Sequence, residues 1–289
     1  MRCRFIVFSL LLLALPLRLA AQEAPYFVTY DHHLEEPGNL EFSPALTLGV
    51  PHSDQRFTFA PYAELEYGIT ARWTAELYLE GQSTAGDSAI FTGFRLENRF
   101  RPLKREHRIN PILYVEYEGI NEGTRIQKEV VGHAPGFDVR NAELRRTPAR
   151  EIETKLILSS TVKDWNISEN FIFEKNLSAS EGVEFGYSFG FYRPLATLAS
   201  AGKCRFCREN FTAGAEFYGG LGSTQSFGLQ DTAHYAAPVL SWQFSDNVTM
   251  RFSPAIGLTH ESNPVLLRFS TSYEVRGVRD KLARLWGGR

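Results

Sequence analysis

From about residue 40 onward, apolar and polar side chains alternate one for one in runs of about ten residues, each cut off by a short polar turn. Period-two alternation marks a strand with two unlike faces, because successive side chains point to opposite sides of the pleat. The first run sets Leu40, Phe42, Leu46 and Leu48 against Glu41, Ser43 and Thr47. The second sets Phe57, Phe59, Ala63, Leu65 and Tyr67 against Arg56, Thr58, Tyr62, Glu64 and Glu66, and the third Trp73, Ala75, Leu77 and Leu79 against Arg72, Thr74, Glu76 and Glu80. Further runs cover roughly 89–101, 110–119, 149–162, 165–175, 182–193, 209–220, 234–244, 247–258 and 264–276. About twelve strands, an even number, predict an all-β chain folded as an antiparallel up-and-down transmembrane β-barrel over 40–276.

What precedes the strands explains why one strand face is so apolar. Arg2 and Arg4 begin a positive leader, Phe5 to Leu17 is a nearly pure apolar core, and Ala20 and Ala21 offer a cleavage point before Gln22. This reads as a signal peptide over 1–21, followed by a periplasmic N-terminal segment over 22–39. Pro16 and Arg18 interrupt the core before it reaches the ~20 apolar residues of a spanning helix. No later stretch is that apolar either, so a membrane crossing has to use a closed sheet, whose backbone groups are all satisfied internally. A mean hydropathy of −0.23 fits, since every second strand residue faces the lumen. Residues 277–289 form a basic C-terminal tail.

Turn lengths give an independent test of the barrel, because such barrels have short periplasmic turns and longer external loops. With a periplasmic N-terminus, the three tightest connections, Gly68 to Ala71, Val162 to Asp164 and Ser245 to Asn247, all fall on the periplasmic side. The longest, about Gly119 to Arg150, falls outside. Trp73, Trp165 and Trp242 lie on apolar faces beside the tight turns, as an aromatic girdle at one membrane interface requires. Glu169 breaks the scheme by sharing a face with Trp165, Ile167, Phe171 and Phe173.

Taken with Leu40 to Val50, the Tyr-Gly-Ile-Thr-Ala-Arg-Trp turn within Tyr62 to Glu80, and the later Trp242 to Thr249 turn, the chain resembles the outer-membrane β-barrels of the phenol-degradation MetA-pathway group. The resemblance implies an outer-membrane, transporter-like barrel and names no substrate. The tail beyond Tyr273 and Val275 departs from the pattern, in which the last strand often ends the chain.

Charge then locates the candidate chemistry. The full chain carries a net −2, and loss of Arg2, Arg4 and Arg18 with the leader takes the mature chain to −5. Nothing in it forms a basic block suited to nucleic acid. Charges that cannot face lipid face the lumen, which assigns Glu64, Glu66, Arg72, Glu76, Arg95, Glu97, Arg99, Glu116, Glu118, Glu151, Glu153 and Lys155 to the interior, with Glu80, Glu184, Glu216, Glu274, Arg251 and Arg268 on the same faces. They either line a water-filled pore or pair across a plugged interior. The expected function is a porin-like Gram-negative outer-membrane channel or transporter for small solutes or small hydrophobic molecules. The alternatives are a structural or surface-interaction barrel with a plugged lumen and, further off, a lipid hydrolase acting at the rim.

No catalytic set is committed by the sequence, and the chain is read as not an enzyme. His260 with Ser262, and His234 with Asp231, lie in external turns without an evident orienting group. Tyr30-Asp31-His32-His33-Leu34-Glu35-Glu36 brings imidazoles and carboxylates close enough to hold a divalent metal, although such a run is more often a solvated segment, and no metal or cofactor is expected. Cys204 and Cys207, in C-x-x-C spacing without a haem-type His or a second pair, read as a local periplasmic disulfide. The expected partners are outer-membrane lipid and lipopolysaccharide and the barrel-assembly machinery, with no nucleic acid and an unknown substrate.

Overall fold

The strands expected from alternation form and close on themselves. In the computed structural model, which describes residues 24–52, 56–126, 139–198 and 204–286, they are β1 (Leu40–Val50), β2 (Thr58–Thr70), β3 (Trp73–Thr84), β4 (Ala89–Phe100), β5 (Asn110–Asn121), β6 (Pro148–Val162), β7 (Trp165–Asn176), β8 (Glu184–Pro194), β9 (Phe211–Ser223), β10 (His234–Ser245), β11 (Val248–Gly257) and β12 (Val265–Val275). Each pairs antiparallel with its sequence neighbours, and β1 pairs with β12 to close a twelve-stranded barrel. Closure leaves no unpaired sheet edge. The expected signal peptide and its cleavage point lie outside the described residues.

Side chains sort by face as the alternation requires. Phe42, Phe59, Leu79, Leu96, Val115, Ile167, Phe189, Phe217, Leu240, Phe252 and Phe269 are exposed on the outer surface, while the intervening polar residues are buried inside. This inverts the usual rule for a globular protein and suits an apolar solvent around the barrel. Glu169 does face outward, opposite Leu158 and Phe189, so no bulge re-aims it.

The barrel has a tight-turn end and a long-loop end. At the first, β2 and β3 are joined by Ala71–Arg72, β6 and β7 by Lys163–Asp164, and β10 and β11 by Asp246–Asn247. Lys163 and Asp164 both take positive φ (51° and 66°), the backbone a two-residue hairpin needs to match strand twist. Trp73, Trp165 and Trp242 sit on the outer surface at this end. Trp73 Nε1 donates to Asn98 Oδ1 at 3.0 Å, Trp165 carries the Arg193 guanidinium 5.4 Å over its ring, and Phe206 stacks on Trp242 at 4.8 Å. Cys204 and Cys207 are disulfide-bonded in the connection from β8 to β9 at the same end. The basic tail forms a helix, α1 (Val278–Trp286), beside the start of β1.

Candidate functional site: the occupied lumen

The inner wall is divided by chemistry. The side chains of β2 to β6 facing inward are largely carboxylates, guanidinium groups and tyrosines, and Arg99 is their hub. It ion-pairs with Glu66 (2.6 Å), Glu76 (Nε to Oε1 2.7 Å) and Glu97 (3.1 Å). Arg95 bonds Glu80 at 2.5 Å and reaches Glu116 at 3.5 Å, and Lys155 bonds Glu153 at 2.7 Å. Tyr78 donates to Glu76 at 2.6 Å and lies 4.4 Å beneath the Arg95 guanidinium. Glu151 accepts from Asn176, and Glu64, Glu116 and Glu118 are buried on the same wall.

One named residue sits elsewhere. Arg72, expected in the lumen, occupies the turn between β2 and β3 and lies 5.7 Å over the outward ring of Phe100. The pleat no longer dictates direction once the strand has ended, and the long side chain takes the nearest aromatic face.

The opposite wall is apolar. Ala60, Tyr218, Tyr235, Ala237, Ala255 and Leu266 point inward and pack with Val28 and Ile126, which belong to no strand. Ile126 ends the described residues 122–126 that follow β5, and it packs inside the barrel. There Arg125 is fully buried and donates to the Val139 carbonyl. The tip of that connection, 127–138, lies outside the described residues.

Val28 belongs to the segment before β1. Instead of leading into the barrel from outside, residues 24–39 run through its interior and return to the tight-turn end. At the far point of this excursion Glu216, on β9 and fully buried, accepts the backbone N–H groups of Phe27 (3.2 Å), Val28 (3.0 Å) and Thr29 (3.0 Å). Three donors on one carboxylate satisfy amides that would otherwise be stranded in the interior. Two residues on, Tyr30 enters the charged wall. Its hydroxyl donates to Glu97 at 2.8 Å, Lys155 and Arg99 lie 4.7 and 5.1 Å over its ring, and Asn170 exchanges two hydrogen bonds with its backbone.

The descending arm is held as firmly. Asp31 accepts from Tyr192 (2.8 Å), from Asn166 and from both the backbone and ring of His33 (2.8 Å each). Burial alone favours its neutral form, but the two histidines and these bonds prevail and bring it down to about 2. Lower down, burial and then the charges of Glu41 and Glu274 raise Glu35 to about 8. Tyr26 on the ascending arm fits because β8 presents Gly190, where a Cβ would lie 2.5 Å from its ring. That inward glycine was visible in the alternation of β8, but nothing local said what filled the space.

Between the segment and the wall a cavity of 810 Å³ remains, reaching from Glu64, Glu118 and Lys155 in mid-barrel to Glu209, Asp246 and Arg276 at the tight-turn rim. Carboxylates dominate its polar lining.

The rim pairs do not assemble into a catalytic set. Ser262 Oγ is 2% exposed and tied to the His234 backbone (2.9 and 2.8 Å), while His260 is 95% exposed and stacks on His52. The His234 ring meets Tyr187 and Thr232, not an acid.

The closed barrel is similar in fold to solved outer-membrane channels. The chain superposes on an outer membrane channel from Pseudomonas putida F1 with TM-score 0.56 at 10% identity, covering 86% of this chain and 100% of that one. The NanC porin follows with TM-score 0.51 at 11% identity, 82% of this chain and 100% of that one. No protein-family model and no curated protein matches the sequence.

Proposed function

We propose that the protein is an outer-membrane channel for small solutes whose conduction path is narrowed by its own N-terminal segment. The observation that carries this reading is the 810 Å³ carboxylate-lined cavity, which runs beside the segment from mid-barrel to the rim. The tight-turn end then faces the periplasm and the long-loop end the outside, with lipid and lipopolysaccharide against the apolar outer surface and insertion by the barrel-assembly machinery. The excess of inward acids over Arg95, Arg99, Lys155, Arg251 and Arg268 favours cationic or neutral polar solutes. The resemblance to the phenol-degradation group extends the reading to small hydrophobic molecules.

A second reading has a specific observation behind it. Tyr30 and Glu216 hold the segment with buried, charge-assisted contacts, as in a plugged barrel with no transport role. Conductance of the refolded mature protein in a planar bilayer separates the two. Steady single-channel current with a cation-selective reversal potential supports the channel, and a silent bilayer under all voltages supports the plug.

A further inference from the structure

We propose that His32, His33 and Glu106 form a binding site for one divalent transition-metal cation of the zinc type at the tight-turn mouth of the barrel. One ring nitrogen of each histidine and one Glu106 oxygen lie within 4.8 Å of one another. The site does not depend on whether the barrel conducts.

Three features make this a built site. First, His32 is 1% exposed, and its Nε2 is buried without a hydrogen-bond partner, with Glu106 Oε1 at 3.9 Å as the nearest acid. An orphaned ring nitrogen is costly to bury, and a cation would satisfy it. Second, the other nitrogen of each ring is engaged, as in ligating histidines, where an outer partner fixes orientation and basicity. His33 Nδ1 bonds Asp31 Oδ2 and His32 Nδ1 bonds Ser159 Oγ, both at 2.8 Å. Third, Asp31 is itself fixed by Tyr192 and Asn166, so the carboxylate behind His33 cannot swing away.

The hydroxyls behind His32 let it take the required tautomer. Ser168 Oγ can donate to Asn166 Oδ1 at 2.8 Å instead of to Ser159 Oγ at 2.9 Å, and when it turns to Asn166 the Ser159 oxygen keeps a lone pair to accept from His32 Nδ1–H. That frees the lone pair on Nε2. Tetrahedral zinc with N and O ligands holds them roughly 3.3 Å apart, closer than the 3.9 Å between His32 Nε2 and Glu106. Glu106 is 63% exposed on the connection from β4 to β5 and is free to close the gap. Two imidazoles and one carboxylate leave a fourth position for water, and nitrogen ligands select zinc, cobalt, nickel or copper over calcium and magnesium. Arg101, whose guanidinium donates to the His32 carbonyl at 2.9 Å, opposes the added charge, and Asp31 and Glu106 offset it.

Titrating the refolded mature barrel with Co²⁺ alone tests the site, because four-coordinate cobalt with nitrogen ligands gives intense visible bands that carboxylate-bound octahedral cobalt lacks. One equivalent should produce those bands, and Zn²⁺ should displace it. His33→Gln and Glu106→Gln change half-exposed and exposed side chains, and heat-modifiable gel migration reports that the barrel is intact. Each should weaken cobalt binding at least tenfold, and Asp31→Asn by 10- to 100-fold. Absence of saturable binding, or wild-type affinity in both Gln variants, overturns the site.

Discussion

The two walls of the lumen solve the same problem in opposite ways. Around Arg99, burial is tolerated because each charge has partners: Glu66, Glu76 and Glu97 converge on one guanidinium. Around Leu266 the burial is mostly apolar: Tyr218 and Tyr235 stack at 5.2 Å beside alanines, and the Arg268 guanidinium lies 5.2 Å over the Tyr218 ring. The charged wall is specific and brittle, since removing one member strands the rest. The apolar wall is forgiving, and its cost of damage is volume. Residues 24–39 bridge both within three positions, with Val28 on the apolar cluster and Tyr30 among the charges.

The charged wall should break hardest. Arg99→Met leaves Glu66, Glu76 and Glu97 without their shared cation and is expected to cost ~3–5 kcal/mol. A lowered urea midpoint of the heat-modifiable form would register it. A stable Arg99→Met barrel would mean that water reaches these carboxylates and that the wall is a pore lining. On the apolar wall, Leu266→Ala removes a fully buried side chain, and the expected loss is about 2–3 kcal/mol, at the low end for such truncations because neighbouring Ile126 can move in. The same measurement gives both numbers, and their order is the test.

The bridge itself can be loosened without touching either wall's packing. Glu216→Gln keeps the shape but replaces three charge-assisted acceptor bonds with weaker ones and adds an N–H₂ with no acceptor, for about 1–2 kcal/mol on segment docking. Local release should exceed any global effect. Cleavage of residues 24–39 by added protease should speed up, and open-channel current should rise. Unchanged current with faster cleavage would place the narrowing elsewhere, beside Arg125 and Ile126.

The barrel was legible because lipid enforces a strict period of two: each of the twelve runs became a strand within a few residues of its expected ends. Alternation also put the lumen charges on the inward face, and it failed at Arg72, where the strand stops. It is silent on what lies inside. Residues 24–39 have no period, since their partners, Glu216, Asn170 and Tyr192, are more than a hundred positions away. The clues were indirect. Inward Asn166, Ser168 and Asn170 on β7 and inward Gly190 on β8 are the wrong residues for a solvated charged pore and the right ones for a docked chain. The metal-binding pattern at His32 and His33 was readable as a motif, but Glu106 and Ser159 come to it only through the fold.

The smallest effect is expected where neither wall is involved. Cys204 and Cys207 are three positions apart, so their disulfide removes little freedom from the unfolded chain, at most about 2 kcal/mol. The connection they staple is pinned independently: Trp242 Nε1 donates to the Arg205 carbonyl at 2.8 Å, Phe206 stacks on the same indole, and Asn210 donates to the Cys204 carbonyl at 2.6 Å. The double variant Cys204→Ser, Cys207→Ser should therefore keep a urea midpoint close to that of the parent and an unchanged current. Its protease sensitivity should rise only within this connection. A large drop in stability would instead show that the loop clamps β8 to β9, and that the apolar half of the barrel owes its tolerance to a covalent staple at its rim as well as to forgiving packing.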